Sequence, residues 1–197
     1  MYHAVGKPAR QQAERVNYFQ EEFVMTEVAT QQDRTSVAGL EGKYLTFDIG
    51  NETYGISILK VREIIGAGNL EIIAVPHMPE YAKGVVNLRD KVIPVLSLRL
   101  RFGMEEIEYT DRTCIIVVEI QGAKGNQILM GLVVDSVKEV LNVVSSELEP
   151  PPEFGTTLDT AFIMGMAKVR GNVNILLDID KVLSADEVKA LEKNQQE

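Results

Sequence analysis

Two pairs of segments in this 197-residue chain align with each other without gaps, and no other feature restricts its fold as strongly. Tyr54-Gly-Ile-Ser-Ile-Leu-Lys-Val-Arg-Glu-Ile-Ile65 lies over Met130-Gly-Leu-Val-Val-Asp-Ser-Val-Lys-Glu-Val-Leu141, an offset of 76. Gly55 meets Gly131, Val61 meets Val137 and Glu63 meets Glu139; every apolar position stays apolar except Leu59, which faces Asp135. Gly84-Val-Val-Asn-Leu-Arg-Asp-Lys-Val-Ile-Pro-Val-Leu-Ser-Leu98 lies over Gly165-Met-Ala-Lys-Val-Arg-Gly-Asn-Val-Asn-Ile-Leu-Leu-Asp-Ile179 at an offset of 81. Here Gly84 meets Gly165 and Arg89 meets Arg170. The larger offset places an insertion around Pro150-Pro151-Pro152, a run that no central strand accommodates and that reads as an extended loop. Internal similarity at this period means two small, alike units, residues 41–103 and 104–183, with strand exchange across their boundary allowed. Neither unit holds a generous core, so they are expected to share an interface, and the groove it creates is where ligands tend to sit.

The periodicity says what each unit is made of. Leu45, Phe47 and Ile49 alternate along one strand, Gly50-Asn51-Glu52 turns, and Tyr54, Ile56 and Ile58 alternate along the next. Further strands are expected at residues 72–75, 84–88, 92–98, 113–120, 128–134, 166–170 and 173–179. Many short strands without long intervening helices indicate barrels or sandwiches. Residues 1–40 stand apart as an N-terminal arm without glycine between Pro8 and Gly39. Its Val16, Phe19, Phe23, Val24 and Val28 recur at the spacing of an amphipathic helix. Residues 184–197 read as a C-terminal helix, opened by the capping-box pattern Ser184-Ala185-Asp186-Glu187.

Composition narrows the chemistry. A net charge of −9 opposes non-specific nucleic-acid binding and docking on anionic lipid. One cysteine excludes an internal disulfide, and two histidines, His3 and His77, leave little for a metal centre or a His-based triad. The first twenty residues lack the apolar run of a signal peptide, and stretches such as Ile115 to Val118 fall far short of the ~20 residues of a membrane helix. A cytoplasmic protein without direct membrane insertion is therefore expected. Residues 66–71 and 121–126 mimic nucleotide loops in composition alone, lacking the βαβ context and the Lys-Ser or Lys-Thr pair. Cys114, within an apolar run, reads as a buried strand residue, and Asp178 with Asp180 as solvated or capping carboxylates. No catalytic group and no cofactor is expected.

What remains is polar residues repeated among apolar ones. Glu63, mate of Glu139, sits between Val61 and Ile64. A carboxylate so placed either faces solvent at a strand end or fixes the register of a partner whose apolar surface supplies affinity. Arg89, mate of Arg170, sits beside a turn and suits bidentate anchoring of a carboxylate, internal or a partner's.

The order and spacing of Tyr54-Gly55-Ile56, Val61-Arg62-Glu63-Ile64, Val75-Pro76-His77-Met78-Pro79, Gly84-Val85-Val86-Asn87-Leu88-Arg89, Pro94-Val95-Leu96-Ser97-Leu98-Arg99 and Arg101-Phe102-Gly103 resemble the CheW family of chemotaxis coupling proteins over residues 43–183. The resemblance implies an all-β chain of two pseudo-symmetric, five-stranded SH3-like barrels. It implies a non-enzymatic adaptor that joins the cytoplasmic tip of methyl-accepting chemoreceptors to the regulatory domain of the histidine kinase CheA, recruited to membrane-associated receptor arrays. The receptor's helical hairpin would lie between the barrels. The positions matching the family's receptor-facing residues are Val61, Glu63, Gly84 and Arg89 in the first half, with Cys114, Val137 and Val140 in the second. Glu63→Lys or Gly84→Asp would then impair binding with the fold intact. One departure stands out: the family's usual glycine after Asn-Leu-Arg is Asp90 here, whereas the second copy keeps Arg170-Gly171.

Overall fold

The computed structural model describes residues 37–151 and 161–193. The helical spacing read at Val16 to Val28, Pro152 and the final residues 194–197 lie outside the described residues. In chain order the strands are β1 (Gly42–Ile49), β2 (Glu52–Ser57), β3 (Val61–Gly66), β4 (Ala82–Leu88), β5 (Lys91–Ser97), β6 (Cys114–Gln121), β7 (Gln127–Val134), β8 (Ser136–Val143), β9 (Leu148–Glu149), β10 (Ile163–Val169) and β11 (Asn172–Leu177). Among the described residues there are two α-helices: α1 (Leu98–Arg101), between β5 and β6, and α2 (Ala185–Lys193), after β11.

The strands form two sheets, ordered β3-β6-β7-β5-β4 and β8-β1-β2-β11-β10-β9. The first has the expected five strands; the second adds the two-residue β9. Neither sheet is drawn from one repeat alone. The hairpin β1–β2 of the first repeat sits among β8, β11 and β10 of the second, while β6–β7 sits among β3, β5 and β4. The five-stranded sheet therefore crosses residue 103, so the sequence repeats and the sheets divide the chain differently. The exchange is symmetric to the residue. In one sheet β11 runs parallel to β2 with Leu176 opposite Gly55; in the other β5 runs parallel to β7 with Val95 opposite Gly131. Each opposed pair is the repeat mate of the other.

The repeated glycines follow from these junctions. A Cβ on Gly55 would meet Leu176 Cδ2 at 3.1 Å, and one on Gly131 would meet Val95 Cγ2 at 3.3 Å and Ile115 Cγ2 at 2.9 Å. Gly84 and Gly165 mark a second repeated device, a bulge in β4 against β5 and in β10 against β11. Gly84 has φ +133, and a Cβ there would lie 2.1 Å from the Ile73 carbonyl oxygen. Gly84 is thus a buried backbone requirement, so Gly84→Asp would not leave the fold intact, contrary to the expectation from resemblance.

The hairpin tips settle the departure at Asp90. Arg89 and Asp90 have φ of 51° and 63°, and Arg170 and Gly171 have 52° and 80°. Both are two-residue turns with φ positive at both central positions, the form that matches strand twist. Asp tolerates that conformation better than most residues, so the turn survives the loss of glycine.

Three apolar clusters fill the molecule. One lies within each sheet: Tyr44, Leu141, Val143, Ala167 and Leu176 in the six-stranded one, and Val86, Ile93, Val95, Ile115 and Val117 in the other. The largest lies between the sheets and takes Leu45, Phe47, Tyr54, Ile56, Ile116, Val118, Met130 and Leu132. The exchanged hairpins are consequently buried on both faces, which is why Ile115 to Val118 is apolar without alternation.

Some expectations shift. The strand expected at residues 72–75 reduces to one bridge, Ile73 to Val85, the counterpart of β9. Strands β3 and β8 were not anticipated: a bulge at Arg62, and its like in the β8 pairing, breaks their alternation. Val37 and Leu40 belong to the fold rather than the arm, packing in the cluster of the six-stranded sheet.

Helix α2 closes one end of the interface. Ser184 and Glu187 form the expected capping box, with Glu187 N–H donating to Ser184 Oγ at 3.3 Å and Ser184 N–H to Glu187 Oε2 at 2.7 Å. The Tyr81 hydroxyl donates to Glu187 Oε1, and the Arg101 guanidinium lies 5.2 Å from the Tyr81 ring centroid while its Nε donates to the Val182 carbonyl at 2.8 Å. Burial, then the Glu187 contact, pushes the Tyr81 hydroxyl up to about 12. Burial alone would raise Glu187, but hydrogen bonds from Tyr81 and Ser184 with the Arg101 charge hold it below the usual carboxylate value.

Two predictions follow from these packing details. In urea denaturation Gly84→Ala loses more than about 2 kcal/mol, whereas Gly68→Ala, whose Cβ meets nothing within 4 Å, changes stability by less than about 1 kcal/mol. A raised tyrosine pKa stabilises fully below the ordinary value and is lost as pH rises through the folded one. The stability advantage of the natural chain over Tyr81→Phe should therefore be level from neutral pH to about pH 10 and shrink toward pH 12, and it should also shrink in acid as Glu187, held down in part by the Tyr81 hydrogen bond, takes up its proton, read from melting temperatures across that range.

Candidate functional site: a repeated ion pair at the barrel seam

Strands β3 and β4 are the outer strands of the five-stranded sheet, about four strand spacings (~19 Å) apart if it were flat. Yet Arg89 Nη2, at the β4–β5 tip, donates to Glu63 Oε1 on β3 at 2.9 Å. The sheet must curl until its edges face, as a small barrel requires. The other sheet repeats the closure with the mates of both residues, Arg170 Nη1 lying 3.5 Å from Glu139 Oε2. Arg89 thus has an internal carboxylate. Its side chain remains 78% exposed with one nitrogen engaged, leaving most of the guanidinium fork open to a further acceptor.

A second repeated pair flanks the first. At the bulges, Arg62 Nε donates to Glu119 Oε2 at 2.8 Å, and its mate Lys138 lies 3.1 Å from Asp48 Oδ1. These edge charges fix the register of β3 on β6 and of β8 on β1. A third set holds the exchanged turns with opposite polarity. Asp135 Oδ2 takes the Gly50 N–H at 2.7 Å and Arg99 at 2.5 Å, whereas Asp180 takes the Gln121 N–H at 2.9 Å and Lys60 at 2.5 Å. Asp178 caps the short turn at residues 179–181 by accepting the Asp180 N–H. Both carboxylates read as solvated or capping thus act in structure.

Apolar side chains surround the closures. Ile64 and Val92 are 43% and 50% exposed on the five-stranded sheet, and their mates Val140 and Val173 are 47% and 50% exposed on the other. Isolated exposed valines need no explanation, but the same two positions are exposed in both copies beside the same ion pair. Val61 and its mate Val137 are half-buried at the rim of the cluster between the sheets, as is Cys114. Cys114 is therefore less buried than its run suggested; its Sγ donates to the Arg112 carbonyl at 3.3 Å.

The seven expected positions thus divide into groups. Val61, Glu63 and Arg89 gather on the closure of the five-stranded sheet and its rim, while Cys114 sits opposite Gly66 at the other end of β3; Val137 and Val140 occupy the equivalent strand of the other sheet. Gly84 lies beneath the surface and acts through the backbone. Ile64, Glu139 and Arg170 complete the twofold pattern and were reachable from the repeat offsets; Val92 and Val173 carried no polar signal to mark them. A cleft of about 50 Å³ lined by Met78, Tyr81, Leu96, Leu183 and Ala190 lies under α2, well below the ~300 Å³ of a small-molecule pocket. The surface suits a macromolecular partner better.

Comparison with known proteins agrees with this geometry. Residues 43–187 match the model of the CheW-like domain. The chain is 38% identical over 146 residues to the chemotaxis protein CheW of Klebsiella aerogenes, covering 74% of this chain and 84% of that protein. It is 31% identical over 146 residues to the CheW of Rhizobium meliloti, covering 74% and 90%. The crystal structure of the scaffolding protein TtCheW from Thermoanaerobacter tengcongensis superposes with a TM-score of 0.65 at 35% identity, covering 75% of this chain and 97% of that one. The chain belongs to the CheW family.

Proposed function

We propose that the chain is a non-enzymatic scaffold of a chemotaxis signalling array, joining the cytoplasmic tips of chemoreceptors to the histidine kinase CheA. Its kinship with chemotaxis proteins of that name and with a solved scaffolding protein supports the role. The observation that carries the reading is the Glu63–Arg89 closure: a charged pair with unused donors, set between exposed Ile64 and Val92 and beside half-buried Val61. A helical hairpin presents apolar positions at regular spacing with polar ones between, and such a surface answers it. The apolar rim supplies affinity; Glu63 and Arg89 fix register and reject like charge. Val137 and Val140 offer the equivalent contacts from the second sheet. The regulatory domain of CheA would take the apolar ends of the barrels. Each contact is modest, and simultaneous attachment in an array supplies the avidity. Among the described residues no helix is long and apolar enough to cross a membrane, so attachment to the cytoplasmic side would come through the receptors.

Glu63→Lys places two cations together at the closure. It should lower co-elution of the full chain with a chemoreceptor cytoplasmic fragment at least ten-fold on size exclusion while co-elution with CheA persists. A folded Glu63→Lys chain that still binds receptor normally would sink the assignment. Arg62→Ala is the control, since it removes an exposed ion pair of similar kind outside the closure. Arg89→Ala should reduce receptor co-elution more than Arg62→Ala, yet both should leave the denaturation midpoint nearly unchanged, as loss of an exposed pair usually does. Equal and negligible binding effects would remove Arg89 from the site.

A further inference from the structure

The described chain enters its fold beside one of two matched apolar patches. Val37 is buried, the Leu40 carbonyl accepts the Tyr44 hydroxyl at 2.7 Å, and Gly42 pairs with Val143 at the end of β8. The Ser145 hydroxyl donates to the Glu41 carboxylate, tying the entering segment alongside Val144. Along this stretch Val140, Asn142 and Val144 are exposed, the two valines at 47% and 45%, while Leu141 and Val143 are buried. Val173, three residues beyond Arg170, extends the patch across the Glu139–Arg170 closure. The counterpart on the other sheet is smaller, because at the repeat offset of 76 Val144 corresponds to Gly68.

Among the 36 residues before Val37, Val16, Phe19, Phe23, Val24 and Val28 recur at helical spacing, with Met1, Tyr2, Val5, Tyr18 and Met25 outside that set. At helical rise the span from Val16 to Val28 is ~18 Å, against ~13 Å from Val140 to Val144 along a strand. The nine residues from Val28 to Val37 reach at most ~30 Å, enough to lay the group on β8 and short enough to keep its effective concentration high. Glu21 and Glu22 lie between Phe19 and Phe23, opposite in sign to Arg170, which is held to its carboxylate by a single 3.5 Å contact.

We propose that residues 16–28 dock within the same chain on the outward face of β8, with Phe19 and Phe23 covering Val140, Val144 and Val173. The inference rests on the sequence of the arm and the surface of the second sheet, not on the receptor reading. If both hold, the arm lies over Val140, and a receptor hairpin must displace it to use the second sheet. The arm then acts as a tethered competitor that weakens binding at one of two otherwise similar surfaces.

Thiol labelling of the full chain tests this without any partner. In a Cys114→Ser background, Val144→Cys reports the covered patch and Val92→Cys reports the exposed patch on the other sheet. Val144→Cys should react with a maleimide at least ten-fold more slowly than Val92→Cys. Adding Phe19→Ser and Phe23→Ser should raise the Val144→Cys rate several-fold and leave Val92→Cys unchanged. Rates that ignore the phenylalanine changes overturn the proposal, as does a gain confined to Val92→Cys. Protection that grows with protein concentration would place the arm on a second copy and likewise overturn docking within the chain. Because no receptor is present, failure here leaves the receptor assignment untouched, and failure of receptor binding leaves this one untouched.

Discussion

The apolar contact between the two sheets is the interaction on which the rest of the structure depends. Each sheet contains a hairpin contributed by the other sequence repeat, and that hairpin is buried on both faces. Ile115 and Val117 fill the core within one sheet while Ile116 and Val118, their strand neighbours, fill the layer between sheets. Separating the sheets would expose the larger of these surfaces, and separating the sequence repeats would in addition peel each hairpin from its parallel neighbour. Two units whose individual cores are thin are thereby made into one cooperative body.

The surface inherits its organisation from that interior. The bulges of β3 and β8 turn Val61 and Val137 onto the rim of the shared core, and the curl of each sheet brings an arginine at a hairpin tip onto a glutamate at the opposite edge. Exposed pairs of this kind add little to stability. Their placement beside half-exposed aliphatic residues accords with the recognition role proposed above, where a fixed charge is a stringent filter on what approaches. The two halves have nonetheless diverged: Arg99 with Asp135 in one place is answered by Asp180 with Lys60 in the other, so the frame is twofold and its surface is not.

Much of this was legible before any coordinates. Gap-free repetition named Gly55 with Gly131, Glu63 with Glu139 and Arg89 with Arg170, and in every case the structure gives both members the same task. Alignment reports likeness, however, not adjacency. It could allow strands to cross between repeats but could not say that the first hairpin pairs with β11. Strands β3 and β8 escaped notice because a bulge shifts their alternation midway, and half-exposed strands carry mixed residues. Gly84 illustrates a sharper limit. The resemblance marks it as a binding position, but the structure gives it a backbone cause, the Ile73 carbonyl eleven residues earlier in the chain and in contact only after folding. A backbone clash leaves no trace in composition or period.

The exchange of hairpins also sets a schedule for synthesis. Tyr54 finds its parallel partner only when Ile175 has been made, about 120 residues later. At ~5–20 residues per second a ribosome needs roughly 6–24 s to supply it. The five-stranded sheet, complete at Val134, can form first. Until then the opening hairpin waits with neither face covered; once formed, that sheet can cover the face of Leu45, Phe47 and Ile56, while the other face still waits for Leu176. The nascent chain is therefore most prone to aggregation in its earliest-made segment, and the order of emergence favours closing the inserted sheet before the one that encloses both ends.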